Sequence, residues 1–193
     1  STFFKTILGF LKPVSGSIFI DERDIQTIPR KELAKIIGYV PQIHGNPFPY
    51  SVRDIVLMGR ASHLRLFAEP GRSDYRRCDE ILEKLDILYL KDKLYSEISG
   101  GEQQMTLIAR ALVQEPEFIM MDEPTSNLDY GNQIQVLKRV VELKNSGKGV
   151  VMITHSPDQA FLCADEAVLF FRDGSVVSGE VRDVLTEENI SRL

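Results

Sequence analysis

Hydrophobic positions along the chain follow two rhythms. Runs with helical spacing alternate with short, unbroken apolar blocks, the pattern of helices packed against buried strands. Phe3, Phe4, Ile7, Leu8 and Leu11 share one helical face, and the stretch from Pro13 to Gly16 ends that run. SIFID at 17–21 predicts a short strand, Arg30 to Lys35 a short helix, and IIGYV at 36–40 a buried strand stopped by Pro41. Gln42 to Tyr50, broken by Gly45, Pro47 and Pro49, predicts a loop. Ser51, three residues before Asp54, predicts a capping box for the helix VRDIVLM. Ser73 is the expected N-cap of the next helix, with Tyr75, Cys78, Ile81, Leu82 and Leu85 on one face.

From Gly101 a buried helix carries Met105, Ile108, Ala109 and Leu112 on one side. FIMM at 118–121 and GVVMIT at 149–154 predict buried strands. Between them, Ile134, Leu137, Val140 and Val141 mark an amphipathic helix ended by Ser146-Gly147. Pro157 opens a further helix, and AVLFF pairs with SVV across Asp173-Gly174 as a two-residue hairpin. Buried strands alternating with helices predict an α/β fold whose mostly parallel sheet is covered on both faces. The largely helical block 51–115 interrupts that alternation and reads as an inserted helical subdomain. The core is then discontinuous, formed by 1–50 and 116–193.

Composition narrows the function classes. The chain has 193 residues, a formal net charge of −5 and 43% hydrophobic residues, enough for a sizeable core. An acidic balance argues against wrapping a nucleic-acid backbone. No stretch approaches the roughly 20 apolar residues of a membrane span, so a membrane role would come through a partner. Cys78 and Cys163 lie far apart in apolar helical settings, as reduced core thiols do.

Five short motifs carry candidate chemistry. Asp122 and Glu123 end an apolar strand, which places two carboxylates where open parallel sheets bind ligands. One suits hydrated Mg²⁺ and the next an attacking water. Ser99, Gly100 and Gly101 precede a long helix, a setting for close approach of a phosphate. His155 ends a second buried strand, Gln42 directly follows another, and Asp129 closes the stretch SNLD. Taken singly, each has an ordinary reading: a strand cap, a flexible helix start, a structural histidine, a surface amide, a helix N-cap.

Their order is what is specific. Gln42 after a strand, SGG before a helix, an apolar strand ending in Asp-Glu, SNLD and then a strand ending at histidine resemble the nucleotide-binding domain of ABC-type ATPases over essentially the whole chain. The resemblance implies a P-loop NTPase, RecA-like three-layer core, with ATP and Mg²⁺ as cofactors. Gln42 matches the Q-loop, Ser99, Gly100 and Gly101 the signature, Asp122 and Glu123 Walker B, Asp129 the D-loop and His155 the switch histidine. It further implies that Glu123, His155 and Gln42 are catalytic. Ser1, Gln42 and Asp122 would hold the metal, and Ser1, Thr2, Ser99, Gly100, Gly101 and Asp129 the nucleotide. The signature departs from the family pattern at Glu102, which puts a charge beside a phosphate site and should turn its side chain away.

STFFKTILGFLKP resembles the stretch immediately after the lysine in the family's phosphate loop, G-x-x-G-x-G-K-[ST]-T. On that reading Ser1 binds Mg²⁺ and Thr2 comes next at the helix start. The chain as given is then a segment of a longer protein, without the lysine, the cradling glycines and their strand, and by itself it should hydrolyse ATP poorly. The segment 45–75, with DEPTSNLDYGNQ, is similar to the ATPase subunits of metal-chelate importers, which serve siderophores, haem, cobalamin and related cargo. That likeness implies two copies in a head-to-tail ATP sandwich on the cytoplasmic face of the membrane. They would be joined to transmembrane permease subunits and, through those, to an extracytoplasmic substrate-binding protein, with no nucleic acid. Phe48, Tyr50 and Arg53 are the candidate permease contacts. The alternative is a soluble family member acting on ribosomes or DNA.

Overall fold

The computed structural model describes residues 2–42, 49–64 and 68–193. Ser1 and Phe48 lie outside the described residues. The helix α1 (Thr2–Ile7) buries Phe4 and leaves Phe3 exposed; it ends before Leu11, which is exposed too. Next come β1 (Phe19–Ile20) and β2 (Arg23–Asp24), an antiparallel pair. The expected strand at 17–21 is therefore only two residues long, because Asp21 and Glu22 turn the chain with φ of 47° and 64°. Positive φ at two successive residues matches the twist of a tight hairpin. The helix α2 (Arg30–Ile36) leads into β3 (Ile37–Val40).

Three helices come next. In α3 (Val52–Met58) the Ser51–Asp54 capping box forms as expected. The helix α4 (Arg72–Lys84) starts earlier than Ser73 predicts. Its N-cap is Gly71, whose N–H donates to Asp74 Oδ2 at 3.0 Å, while Arg60 donates to Asp74 Oδ1 at 3.0 Å. These donors hold the Asp74 carboxyl below its usual range. Cys78, Leu82 and Leu85 are buried as predicted, but Tyr75 is exposed, with the Arg53 guanidinium 5.9 Å from its ring centroid. The helix α5 (Gly100–Leu112) buries Met105, Ile108, Ala109 and Leu112.

The remaining elements are β4 (Phe118–Asp122), α6 (Tyr130–Asn145), β5 (Gly149–Ile153), α7 (Pro157–Cys163), β6 (Glu166–Phe170), β7 (Val176–Glu180), α8 (Val181–Val184) and α9 (Glu187–Ser191). The inward face of α6 is Val136, Leu137, Val140 and Leu143, rotated from the predicted Ile134 and Val141. Strands β3, β4 and β5 pair in parallel in that order. Ile119 and Met121 of β4 face the cluster formed with α3 to α6, and Met120 faces the smaller cluster of Phe4, Ile28, Leu33 and Ile37. Both faces of the central strand are covered, as a parallel sheet requires. Two expectations of complete burial fail: Phe118 is 38% and Val151 44% exposed. The hairpin of β6 and β7 forms, but its loop is longer than two residues. Phe170 pairs with Val176, only Gly174 takes a positive φ, and Asp173 Oδ1 accepts from the N–H and the hydroxyl of Ser175. Cys78 and Cys163 are buried and free, and burial pushes the Cys78 thiol up to about 11.

Candidate functional site

The parallel register brings three strand ends to one edge. Val40 is level with Met121, and Asp122 with Ile153. The residues that leave the sheet there are Gln42, Glu123 and His155, and they touch. Gln42 Nε2 donates to Glu123 Oε2 and to Ser126 Oγ, each at 3.3 Å. His155 Nε2 stands 2.8 Å from Glu123 Oε1. A carboxylate only accepts, so this contact assigns the proton to Nε2. Glu123 reaches both partners by leaving the strand with φ of 47°, a strained value for a residue with a side chain. Its N–H donates to Ile153 O at 3.0 Å, which fixes the turn.

Asp122 is 7% exposed and faces the opposite side of β4 from Met121. Among the described residues its hydrogen-bond partner is the Tyr39 hydroxyl, which donates to Oδ2 at 3.4 Å, and no cationic side chain pairs with it. Burial and this carboxylate together hold the Tyr39 phenol above its usual range. No described residue donates to the other Asp122 oxygen, Oδ1. With its Nε2 turned to Glu123 and Ser126, Gln42 has an amide oxygen to which no described residue donates. Asp122 and that oxygen are hard donors of the type Mg²⁺ prefers, so the residues present fit that ion. Thr2 opens α1, its carbonyl accepting from Thr6 Oγ1 at 3.0 Å, and among the described residues no hydrogen bond links it to the strand ends.

A second group gathers at the starts of α5 and α6. Ser99 caps α5, and Glu102 answers as the other half of a capping box. Glu102 Oε2 accepts from Ser99 N at 2.8 Å and from Ser99 Oγ at 2.7 Å, while the Tyr89 hydroxyl donates to Oε1 at 3.0 Å. The Ser99 donors, reinforced by Tyr89 and Lys93, hold Glu102 below its usual range. The charge at the departing signature position is thus spent on the helix start. Asp129 caps α6 through Asn132, whose backbone and side-chain N–H groups hold its carboxyl below the usual range. Gly100 faces Leu128 and Gly101 faces Asn132, so the two helix starts abut. No hydrogen bond among the described residues joins this group to Gln42, Glu123 and His155.

Sequence reasoning missed Tyr39, Ser126, Tyr89, Asn132 and Gln159. Gln159 Oε1 accepts from Thr125 Oγ1 at 2.9 Å and from Thr154 Oγ1 at 2.8 Å, tying the segment after β4 to the one carrying His155. For Tyr39 a signal existed: it is the one aromatic residue of an otherwise aliphatic strand block. The others are ordinary polar residues whose neighbours only folding supplies.

The family model described as ABC transporter matches residues 1–126. A molybdate import ATP-binding protein of Haemophilus influenzae is 38% identical over 194 residues, covering 100% of this chain and 71% of that protein. A probable iron chelatin transport ATP-binding protein of Helicobacter pylori is 35% identical over 195 residues, covering 100% of this chain and 76% of its own. Among solved structures, a transporter described as metal-chelate type, in an inward-facing conformation, superposes with a TM-score of 0.89 at 37% identity, covering 100% of this chain and 71% of that one. The fold and the matched sequence agree, and the chain belongs to the ABC transporter family, with the α/β fold of its ATP-binding subunits.

Proposed function

We propose that this protein hydrolyses ATP to drive uptake of a metal or metal chelate, such as a siderophore, haem or cobalamin, through partner permease subunits. The observation that carries the hydrolysis is Glu123, held between Gln42 and His155 beside the enclosed Asp122. Glu123 orients and deprotonates the attacking water, and a base placed this way contributes roughly 10²–10⁴-fold. Gln42 and His155 hold the two carboxylate oxygens and respond when the γ-phosphate arrives. Asp122, with the amide oxygen of Gln42 and the hydroxyl of Ser1, would hold Mg²⁺, which when bound neutralises phosphate charge. The relatives' names, molybdate import and iron chelatin transport, support the cargo class.

Two copies pair head to tail around two ATP molecules. The separation of the two residue groups supports this arrangement. The strand-end group, with Thr2, serves the nucleotide of its own subunit, and Ser99, Gly100, Gly101 and Asp129 serve that of the other. Segments 1–50 and 116–193 form the ATP-binding core, and 51–115 forms the helical part. No helix among the described residues is long and apolar enough to cross a membrane. The pair docks on the cytoplasmic face of the membrane through Phe48, Tyr50 and Arg53, and a substrate-binding protein delivers cargo on the far side. The test is recovery of the subunit from cells. Co-purification with a multi-span membrane protein, together with ATP-dependent metal-chelate uptake, is the expected result. Recovery with ribosomes or DNA would overturn the transport reading.

A further inference from the structure

The two glycines after Ser99 are glycine for different reasons. Neither has a positive φ, so conformational freedom does not require them. A β-carbon on Gly100 would meet Leu128 Cδ2 at 3.5 Å, an ordinary contact. One on Gly101 would stand 2.3 Å from Asn132 Oδ1 and 2.5 Å from its Cγ, far inside van der Waals distance. Asn132 is not free to swing away. Its backbone N–H donates to Asp129 Oδ1 at 2.9 Å, and its Nδ2 donates to Asp129 Oδ2 at 2.6 Å. Because a carboxylate only accepts, Nδ2 must be the atom facing Asp129, and the amide oxygen is left against Gly101.

We infer that Asn132 is a positioning residue that locks the Ser99–Gly101 turn to the Asp129 loop, so that both approach the paired subunit's nucleotide as one body. The inference rests on the ATP-dependent pairing proposed above. Gly101 is then dictated by Asn132, and Gly100 is the glycine left open for a ligand. A shift of Asp129 passes through Asn132 to the backbone of Gly101, so the two groups that meet the partner's nucleotide move together.

The test uses the intact subunit carrying Glu123→Gln, so that ATP is not consumed, with G101A, N132A and the double variant. ATP affinity of the single subunit, ATP-dependent pairing and thermal unfolding are measured for each. G101A should weaken pairing about tenfold or more, within the coupling range of residues in contact, and G101A/N132A should return to within about threefold of N132A. N132A alone should weaken pairing about threefold or more, within the same coupling range, while single-subunit ATP affinity moves less, because the subunit's own nucleotide is served by the strand-end group. A double variant that pairs no better than G101A, or N132A pairing like the parent, would overturn the inference. If the parent never pairs with ATP, the proposed function fails instead. The melting-temperature cycle then decides: recovery of the G101A loss in the double variant upholds the Asn132–Gly101 lock, and no recovery overturns it.

Discussion

Glu123 Oε1 and His155 Nε2 stand 2.8 Å apart across the ends of two neighbouring parallel strands. With Gln42 on the other oxygen, both oxygens of the carboxylate are engaged. Each oxygen keeps a second acceptor site, and that is where a water can bind to be activated. Glu123→Gln keeps the shape and removes the base, so phosphate release should fall about 10²–10⁴-fold. ATP-bound pairs should accumulate, read by nucleotide retained on size-exclusion chromatography. Unchanged hydrolysis would sink the assignment of the base.

His155 is 82% exposed in its side chain and packs against little else. Its loss should therefore spare the fold. His155→Ala removes a hydrogen bond to a charged group, worth about 1.5–3 kcal/mol, or roughly 10–150-fold in rate if the contact persists at the transition state. Steady-state hydrolysis at saturating ATP, with the melting temperature as control, checks this. A fall in melting temperature without a fall in rate would make His155 structural.

The strand-end residues were legible because each comes directly after an apolar block that period alone identifies, and the parallel register then forces them together. The helix starts at Ser51 and Ser99 were legible for a similar reason: capping chemistry is local, confined to one helical turn. What failed was long-range. The start of α4 depends on Arg60, from an earlier element, joining Gly71 in holding Asp74. Phe118 is exposed at the start of the central strand and Val151 on β5 beside it, and an apolar run encodes neither position. Glu102 illustrates the middle case. Its spacing from Ser99 is that of a capping box, and the same letters equally spell a charge beside a phosphate site.

That capping role has a pH signature. Glu102 has an ordinary pKa of 4.5 and is held lower in the folded state, first by the Ser99 hydroxyl. A depressed carboxylate adds stability above its unfolded pKa and loses it as pH falls through the folded value. The contribution is therefore complete at neutral pH and fades below about 4.5. Glu102→Gln should flatten the acid limb of a stability–pH curve, measured by chemical denaturation. A variant curve parallel to the parent's down to acid pH would show that the Ser99 contact does not form in solution.

Gly59 closes α3 at the point where that helix crosses α5. Its φ of −62° suits any residue, so the requirement is space alone. A β-carbon there would lie 2.2 Å from Arg110 O and 2.6 Å from Val113 Cγ1. The first atom belongs to a helix backbone, which cannot move without shifting α5 and the signature it carries. Gly149 offers the contrast. Its β-carbon would fall 2.3 Å from Phe118 Cδ1, but that ring is 38% exposed and can turn into solvent. Gly59→Ala should then cost about 1–3 kcal/mol or more, as overpacking does, and Gly149→Ala distinctly less. Trimming Val113 to Ala should not rescue Gly59→Ala, because the backbone oxygen remains. Urea unfolding of the three variants decides the point. Equal losses at Gly59 and Gly149 would mean that α3 and α5 sit further apart than the structure has them.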